Sequence, residues 1–336
     1  MLRCAVRRIR KVNYFDKFKL KKMISFLSSD AINHYTKVFM NFPFYFIHNL
    51  LPLNLKFLPE SYVIEENKEI IGMVTVSPSA GNPYKLNISR LFLEQDYFNA
   101  GKQLIDFVIS KYGAKGASTF VAKIDDSYDE LLSLFAEGCG FRQCSSEQLW
   151  KMDTIRFTKT ENTFFRPFKN SDAQAVAMLF NDTIITHFKH SISRTKQEYY
   201  EPLFQGLTDE SQFKYVVEDE NLNTVKAYFS FSTYDNSNYI LDITTSPWYE
   251  CSLDDILNFT INQISKRKKD FSLFVKVKKY TTTAENIEQY LTEKGFKCVQ
   301  NQIVLIKDFY KLIKEAQPLQ RIVLFNGINE KPVFKI

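Results

Sequence analysis

YKLNISRLFLEQDYFNAGKQLIDFVISKY, residues Tyr84 to Tyr112, is the stretch on which the fold turns. Leu86, Asn87, Ile88 and Ser89 alternate apolar and polar, the period of a strand that runs on to Leu93. A polar connection, Glu94 to Phe98, leads into Asn99-Ala100-Gly101-Lys102. Beyond it Leu104, Ile105, Val108 and Ile109 are spaced as one buried face of a helix. A strand, tight turn and helix start presents backbone N–H groups and the positive end of a helix dipole to an anion. Asn99 is placed to cap the helix, and Gly101 to let a ligand approach the backbone. Lys102 adds a cation where the dipole alone would favour a carboxylate. A phosphate is the anion that suits such a turn.

Working outward, Ser118 to Ile124 reads as a strand and Ser127 to Gly138 as a helix. Gly140-Phe141 then opens a strand ending near Met152. The same order recurs downstream. Tyr239 to Thr245 is a strand, Ser252 to Ile264 a helix, Phe271 to Val277 a strand and Glu285 to Glu293 a helix, before Gly295-Phe296 and the strand Gln302 to Ile306. The two Gly-Phe pairs stand 155 residues apart. Solenoid repeats run roughly 20–50 residues, so this period indicates duplicated domains. The expected boundaries are 1–155 and 160–310, joined by the polar stretch Asp153 to Asn162. Residues 311–336 form an appendage, the end of a helix from Phe309 to Ala316 and a hairpin about Asn326-Gly327.

Strand, phosphate-type turn, helix, strand, helix, Gly-Phe and strand, taken twice, resembles a tandem member of the GNAT superfamily of N-acyltransferases. The resemblance covers most of the chain. It implies an α/β fold, an α+β mixed sheet in each half, splayed between its fourth and fifth strands. It also implies acetyl-CoA or another acyl-CoA as co-substrate and a small-molecule or peptide amine as acceptor. On this resemblance the cofactor would lie along Leu91, Phe92 and Leu93 and on the backbone of Phe98, Asn99, Ala100, Gly101 and Lys102. Asp129 stands where an Asn often contacts CoA.

Departures from the family pattern separate the halves. Gly101 matches the last small residue of the pyrophosphate turn, but Asn99 replaces its usual first Gly and Asp96 its usual Gln or Arg. The second turn, Pro247 to Leu253, has no Gly, and Pro247 offers no N–H. Ser252 with Asp254 and Asp255 reads as a capping-box-like start whose carboxylates would repel phosphate. The first half is therefore expected to bind the cofactor and the second to be structural or to shape the acceptor site. Many GNAT enzymes place a proton-donating Tyr four residues before the Gly of the Gly-Phe pair. Ala136 and Leu291 hold those places here, with Phe135 and Tyr290 one residue earlier. Lys85, Asn87 and Ser89 stand on the central strand where a Glu base would be, so no catalytic residue is assigned.

Composition sets the bounds. The 336 residues, 45% hydrophobic and 24% charged, suit two ordinary globular domains. The net charge of +6 belongs to residues 1–160, with 22 Lys and Arg against 16 Asp and Glu; the remainder balances at 22 each. Arg3, Arg7, Arg8, Arg10 and Lys11 would suit nucleic acid, an anionic membrane or an organelle-targeting leader, but read first as the solvated face of a first strand, Ala5 to Val12, so nucleic acid is not expected as a partner. The five cysteines include no CxxC pair and none has metal-like spacing with the four histidines, so reduced thiols in a cytoplasmic protein and no metal are expected. Pro and polar residues break Val38 to Leu58, which cannot span a membrane as a regular helix.

Helices are expected over 16–28, 31–40, 171–180 and 195–207, with an aromatic, proline-broken segment over 42–53. Hairpins are expected at 61–76, where Gly72 marks a bulge or a close approach, and at 213–232. Two other readings share the fold: a non-catalytic acyl-CoA sensor or scaffold, and a transferase drawing an aminoacyl group from charged tRNA.

Overall fold

The computed structural model describes residues 7–13, 15–16, 18–20, 59–79, 82–94, 97–152, 165–201, 211–219, 224–233, 235–249 and 251–309. The expected elements at 31–40 and 42–53, the linker and the 311–336 appendage lie outside them, as does most of the 16–28 helix.

Strands form where β-branched and aromatic residues cluster. In chain order they are β1 (Arg7–Lys11), β2 (Glu60–Glu66), β3 (Glu69–Ser79), β4 (Asn82–Leu93), β5 (Thr119–Asp125), β6 (Arg142–Met152), β7 (Phe165–Pro167), β8 (Ser211–Asp219), β9 (Thr224–Thr233), β10 (Asn238–Thr245), β11 (Ser272–Lys278) and β12 (Phe296–Asp308). All lie in one sheet, in the order β1-β2-β3-β4-β5-β12-β6-β11-β10-β9-β8-β7. Exchanging each of β1 to β6 with its counterpart in β7 to β12 and reading from the other edge returns the same order. The sheet thus has an internal two-fold relation.

β6 and β12 are exchanged across that axis. β6 joins the second half's β11, Glu147 opposite Lys278 and Lys151 opposite Phe274, while β12 joins the first half's β5 from Thr119↔Asp308 to Asp125↔Gln302. The two exchanged strands pair with each other, and Glu147 faces Gln302, its own counterpart 155 positions on. Among the described residues the order of strands along the chain follows the sequence expectation; the merging of both halves into one sheet does not. The sequence pattern marks which residues make a strand but not which neighbour it takes.

Both parallel contacts separate part-way along. β4 and β5 pair only from Lys85↔Thr119 to Ile88↔Ala122, although both strands continue. β10 and β11 pair from Asn238↔Ser272 to Asp242↔Lys276 and likewise part.

The helices are α1 (Tyr97–Gly113), α2 (Asp129–Ser133), α3 (Ala173–Thr183), α4 (Lys189–Ile192), α5 (Leu253–Ser265) and α6 (Ala284–Glu293). α2 widens into a π-helical turn, Leu134–Gly138, that carries Leu134 and Phe135 into the core where a regular helix was expected. The helix expected at 195–207 is a single 3-10 turn, Lys196–Glu198, within the described residues. Thr195 and Glu198 close a capping box there, and Tyr199 then turns inward against Tyr228. One face of the sheet buries Ala100, Leu104, Ile105 and Val108 of α1 against β2 to β5; α5 and α6 cover β9 to β11 in the same manner. On the opposite face α3 packs over Val121, Cys144, Val304 and Ile306, a core drawn from both halves.

Two ion clusters repeat with the sheet. Arg10 donates to both carboxylate oxygens of Asp16, at 2.6 and 2.8 Å, and to Glu65 at 2.5 Å; the backbone N–H of Asn13 also donates to Asp16. Arg166 grips Asp172 at 2.7 and 2.9 Å and reaches Glu218, while Lys169 N–H donates to Asp172. Burial opposes ionisation of Asp16, but the bonds from Arg10 outweigh it and its carboxyl stays below the usual range. The bond from Arg166 does the same for Asp172. The spacing Arg-x5-Asp at 10–16 and 166–172 was visible in the sequence and marks the duplication as clearly as the Gly-Phe pairs do.

Gly140 and Gly295, one in each half, sit at φ +68° and +81°. Both Gly-Phe pairs are therefore the same left-handed turn into an exchanged strand, a conformation that Gly adopts without a Cβ penalty.

Candidate functional site

The end of β4 and the start of α1 form one side of the site. Past Ile88 the edge of β4 that faces β5 leaves the parallel ladder, while its other edge stays paired to β3 as far as Leu93↔Gly72. The first turn of α1 holds no acidic residue. Among the described residues its dipole end therefore meets no carboxylate of its own first turn, as an anion site requires.

The helix starts at Tyr97, so Asn99, expected as its cap, lies inside the first turn instead. The residues singled out from sequence divide by burial. Phe92, Leu93 and Ala100 are buried and Leu91 partly so, whereas Phe98, Asn99 and Asp129 are exposed. Gly101 has a packing role. A Cβ there would lie 2.5 Å from Leu134 Cδ2 and 2.9 Å from Leu93 Cδ1, so the missing side chain lets α1 close on the core. Lys102 reaches along its helix, donating to Gly138 O at 2.5 Å and pairing with Asp106 at 3.3 Å. Asp96 lies outside the described residues. Phe135, one residue before the place of the usual Tyr, is buried edge-on to Phe141.

The sheet's other face carries a cavity of about 260 Å³ that sequence reasoning missed. Lys85 and Asn87 of β4, Val121 and Lys123 of β5, and Glu147 of β6 line its floor; Arg194 and Glu198 stand over it from the second half. Alternation along β4 explains the split, since Leu86 and Ile88 face the α1 core while Lys85 and Asn87, alternating with them, face the cavity. Lys123 is the first β5 residue beyond the parallel ladder. The cavity therefore reaches the rung where the strands part, and α1 begins beyond the same opening on the opposite face.

Three contacts fix the roof. Asn181 binds the backbone of Arg194 in both directions at 2.9 Å. Ile185 N–H donates to Tyr280 O at 3.0 Å. Ser79 donates to Glu198 at 2.8 Å, tying the roof to β3.

Glu147 is only 4% exposed, and it receives Lys123 Nζ at 2.7 Å and Tyr280 Oη at 2.6 Å. Burial would raise its pKa, but Lys123 and Lys276 hold the carboxyl well below the usual range. Burial lowers the pKa of Lys123, and Glu147 offsets part of that. Its side chain is 37% accessible through the cavity yet enclosed by protein around it. Burial also lowers the pKa of Lys85, whose Nζ donates to Ile192 O and Ser193 O at 3.3 and 3.4 Å. No single motif announces this cavity. Its residues are scattered from position 79 to 306 and come together only through the exchange of β6 and β12.

No family description matches the sequence, and no curated protein does. Solved structures do match in shape. A tandem GNAT protein from the clavulanic acid biosynthesis pathway superposes with a TM-score of 0.60 at 9% identity, over 90% of this chain and 98% of that one. The chain has the tandem GNAT fold. A GCN5-related N-acetyltransferase from Sphaerobacter thermophilus gives 0.57 at 10% identity, over 90% and 95% of the two chains. A putative acetyltransferase from Pyrococcus horikoshii gives 0.54 at 8%, over 92% of each. At such identities the likeness extends to the tandem GNAT fold and not to individual side chains. Among the described residues no cluster of His, Cys, Asp and Glu could hold a metal, and no helix is long and apolar enough to cross a membrane.

Proposed function

We propose that this tandem GNAT chain is an acyl-CoA-dependent N-acyltransferase with one working site. The observation that carries this reading is the opening between β4 and β5, with a helix whose first turn holds no carboxylate on one face and a polar cavity on the other. Residues 1–155 form the cofactor-holding domain and 160–310 a domain that roofs the acceptor cavity. In this reading the N–H groups of Phe98 to Lys102 hold the pyrophosphate, with Asp129 beside it. The pantetheine arm lies along the free edge of β4 at Leu91 to Leu93, where it takes the place of a strand.

The thioester then faces the cavity through the opening. The amine nitrogen attacks the thioester carbonyl carbon, the C–N bond forms and the C–S bond breaks. The thiolate leaves, and the proton shed by nitrogen passes through solvent to it, giving the free thiol. Similar structures named as acetyltransferases support acetyl-CoA as donor, and the GNAT fold suits a small-molecule or peptide amine as acceptor.

Calorimetry with acetyl-CoA tests the cofactor site, and release of free thiol in the presence of amines tests turnover. One equivalent per chain is expected. Asn99→Glu adds a carboxylate to the first turn of α1, where it favours the helix and repels phosphate. Affinity should fall about tenfold, about 1.4 kcal/mol, without loss of thermal stability. Unchanged affinity would place the cofactor elsewhere. The second reading, an acyl-CoA sensor or scaffold, is favoured by Ala136 at the usual position of the acid Tyr, and binding without thiol release would select it.

A further inference from the structure

The charged side chains that line the cavity do not balance, and the surplus indicates what the cavity receives. Glu147 and Glu198 already have partners within the protein. Lys123 and Tyr280 hold the first; Ser79 and the Thr195 N–H, at 2.8 and 3.2 Å, hold the second. Against these two carboxylates stand three cations, Lys85, Lys123 and Arg194. Among the described residues Lys85 donates to two neutral carbonyls and pairs with no carboxylate.

Arg194 lies over the Phe180 ring at 4.4 Å, which covers the flat face of its guanidinium. Its side-chain hydrogen bond goes to Tyr199 Oη at 3.5 Å, and no carboxylate lies within ion-pair distance of it among the described residues. A guanidinium carries five N–H donors in a planar fork suited to bidentate binding of a carboxylate. The volume lies just below the ~300–1,000 Å³ of ordinary ligand pockets, which favours a small molecule over a peptide.

We propose that the cavity binds a small acceptor bearing a carboxylate beside its amine, the carboxylate docking on Arg194 with Lys85 nearby and the amine lying toward Asn87 and the strand opening. This rests on the acyl-transfer reading for the word acceptor and on the cavity alone for the carboxylate. The arrangement has a chemical consequence. Burial, helped by Arg194 and Lys123 and opposed in part by Glu198, disfavours the charged form of Lys85; the same surroundings disfavour a bound ammonium and hold the amine toward its neutral, nucleophilic form. No dedicated base is then needed on β4.

The test uses the whole chain and matched pairs that differ only in the carboxylate: alanine and ethylamine, leucine and 3-methylbutylamine, phenylalanine and 2-phenylethylamine, with glutamate added. Binding is read by ligand-detected NMR without acyl-CoA, and acetyl-CoA binding is measured separately on the same preparation. The expected result is saturable binding of at least one acid, tenfold or more tighter than its matched amine. That preference should fall at least tenfold in Arg194→Gln. Lys85→Met, expected to weaken it in the same direction, stands in if thermal unfolding shows Arg194→Gln misfolded. Equal binding within every pair, no saturable binding of any acid, or a preference that survives both variants overturns the proposal. Acids that bind to a chain that does not bind acetyl-CoA uphold the carboxylate site and overturn acyl transfer instead.

Discussion

α1 and α5 begin at equivalent points after β4 and β10 and are built for opposite ends. The buried positions Ala100, Leu104, Ile105 and Val108 of α1 match Ile256, Thr260, Ile261 and Ile264 of α5 at a constant spacing. Gly101 therefore corresponds to Leu257. Small residues let the first turn of α1 settle against Leu93 and Leu134, with no carboxylate of its own. Large residues fill the same place in α5, and Asp254 and Asp255 occupy its dipole end. Ser252 accepts from Asp255 N–H at 3.2 Å, and Asp254 is taken by Tyr290 at 2.9 Å and Lys294 at 2.5 Å. Among the described residues the first turn of one helix holds no carboxylate, while the other closes on itself. Duplication thus preserved the parts that hold the sheet, the Arg-Asp clamps and Gly-Phe turns, while the anion-facing ends diverged.

The largest expected effect tests a network that only the first half has. Glu60 accepts from Tyr62, from Tyr112 at 2.5 Å and from Lys11 at 3.1 Å. Its counterpart on β8 is Phe213, in an aromatic stack with Phe231. Burial alone would raise the Glu60 pKa, but the two phenols and Lys11 bring it down to about 2. A folded-state pKa below the unfolded value of about 4.3 stabilises above that value and is lost as pH falls through about 2. Glu60→Gln should cost about 2 kcal/mol at neutral pH by denaturant unfolding. The gap from wild type should narrow between about pH 4.3 and pH 2; a gap independent of pH would remove the carboxylate from the account.

Gly101→Ala comes next. Its methyl would meet Leu134 and Leu93 well inside contact distance, so overpacking should cost about 1–2 kcal/mol. A neutral result would mean that the close approach of α1 is not set by Gly101. Gly140→Ala and Gly295→Ala should each cost about 1 kcal/mol through backbone conformation alone, because the nearest atom to a Cβ at 140 is Lys307 Nζ at 3.7 Å and none lies within 4 Å at 295. Equal losses would sharpen the two-fold relation, and a clear inequality would break it. Replacing Asp254 and Asp255 by Asn should cost least, about 0.5 kcal/mol, by weakening the start of α5. If that variant took up a second equivalent of acetyl-CoA, charge alone would be what closes the second half.

Much of this could be read from local pattern. Alternation over Leu86 to Ser89, the buried spacing of Leu104 to Ile109 and the paired Gly-Phe turns are short-range signals, and each element formed where its residues required. Gly72 was legible for the same reason: β2 and β3 slip register beside it, and a Cβ there would lie 2.9 Å from Leu93 Cδ2. Partners distant in sequence were not legible. Nothing in Arg142 to Met152 says that it will pair with β11. The cavity was hidden because Lys123, Glu147, Arg194 and Tyr280 each look like an ordinary surface or core residue until the exchanged strands bring them together. Lys102 misled in the other direction, its charge visible in the sequence and its engagement by Gly138 and Asp106 not.

The pairing of β5 with β12 also imposes an order on how the protein can be made. Thr119 sits opposite Asp308, so the edge of β5 stays unsatisfied until the last described strand has been synthesised. At roughly 5–20 residues per second, that edge is open for about ten to forty seconds of translation. An unpaired strand edge is a template for any other chain, including a second nascent copy of this one. A nascent chain that met another copy's β12 before its own would close the same ladder between two molecules. The exchange that unites the halves is thus also the step at which two copies can become entangled.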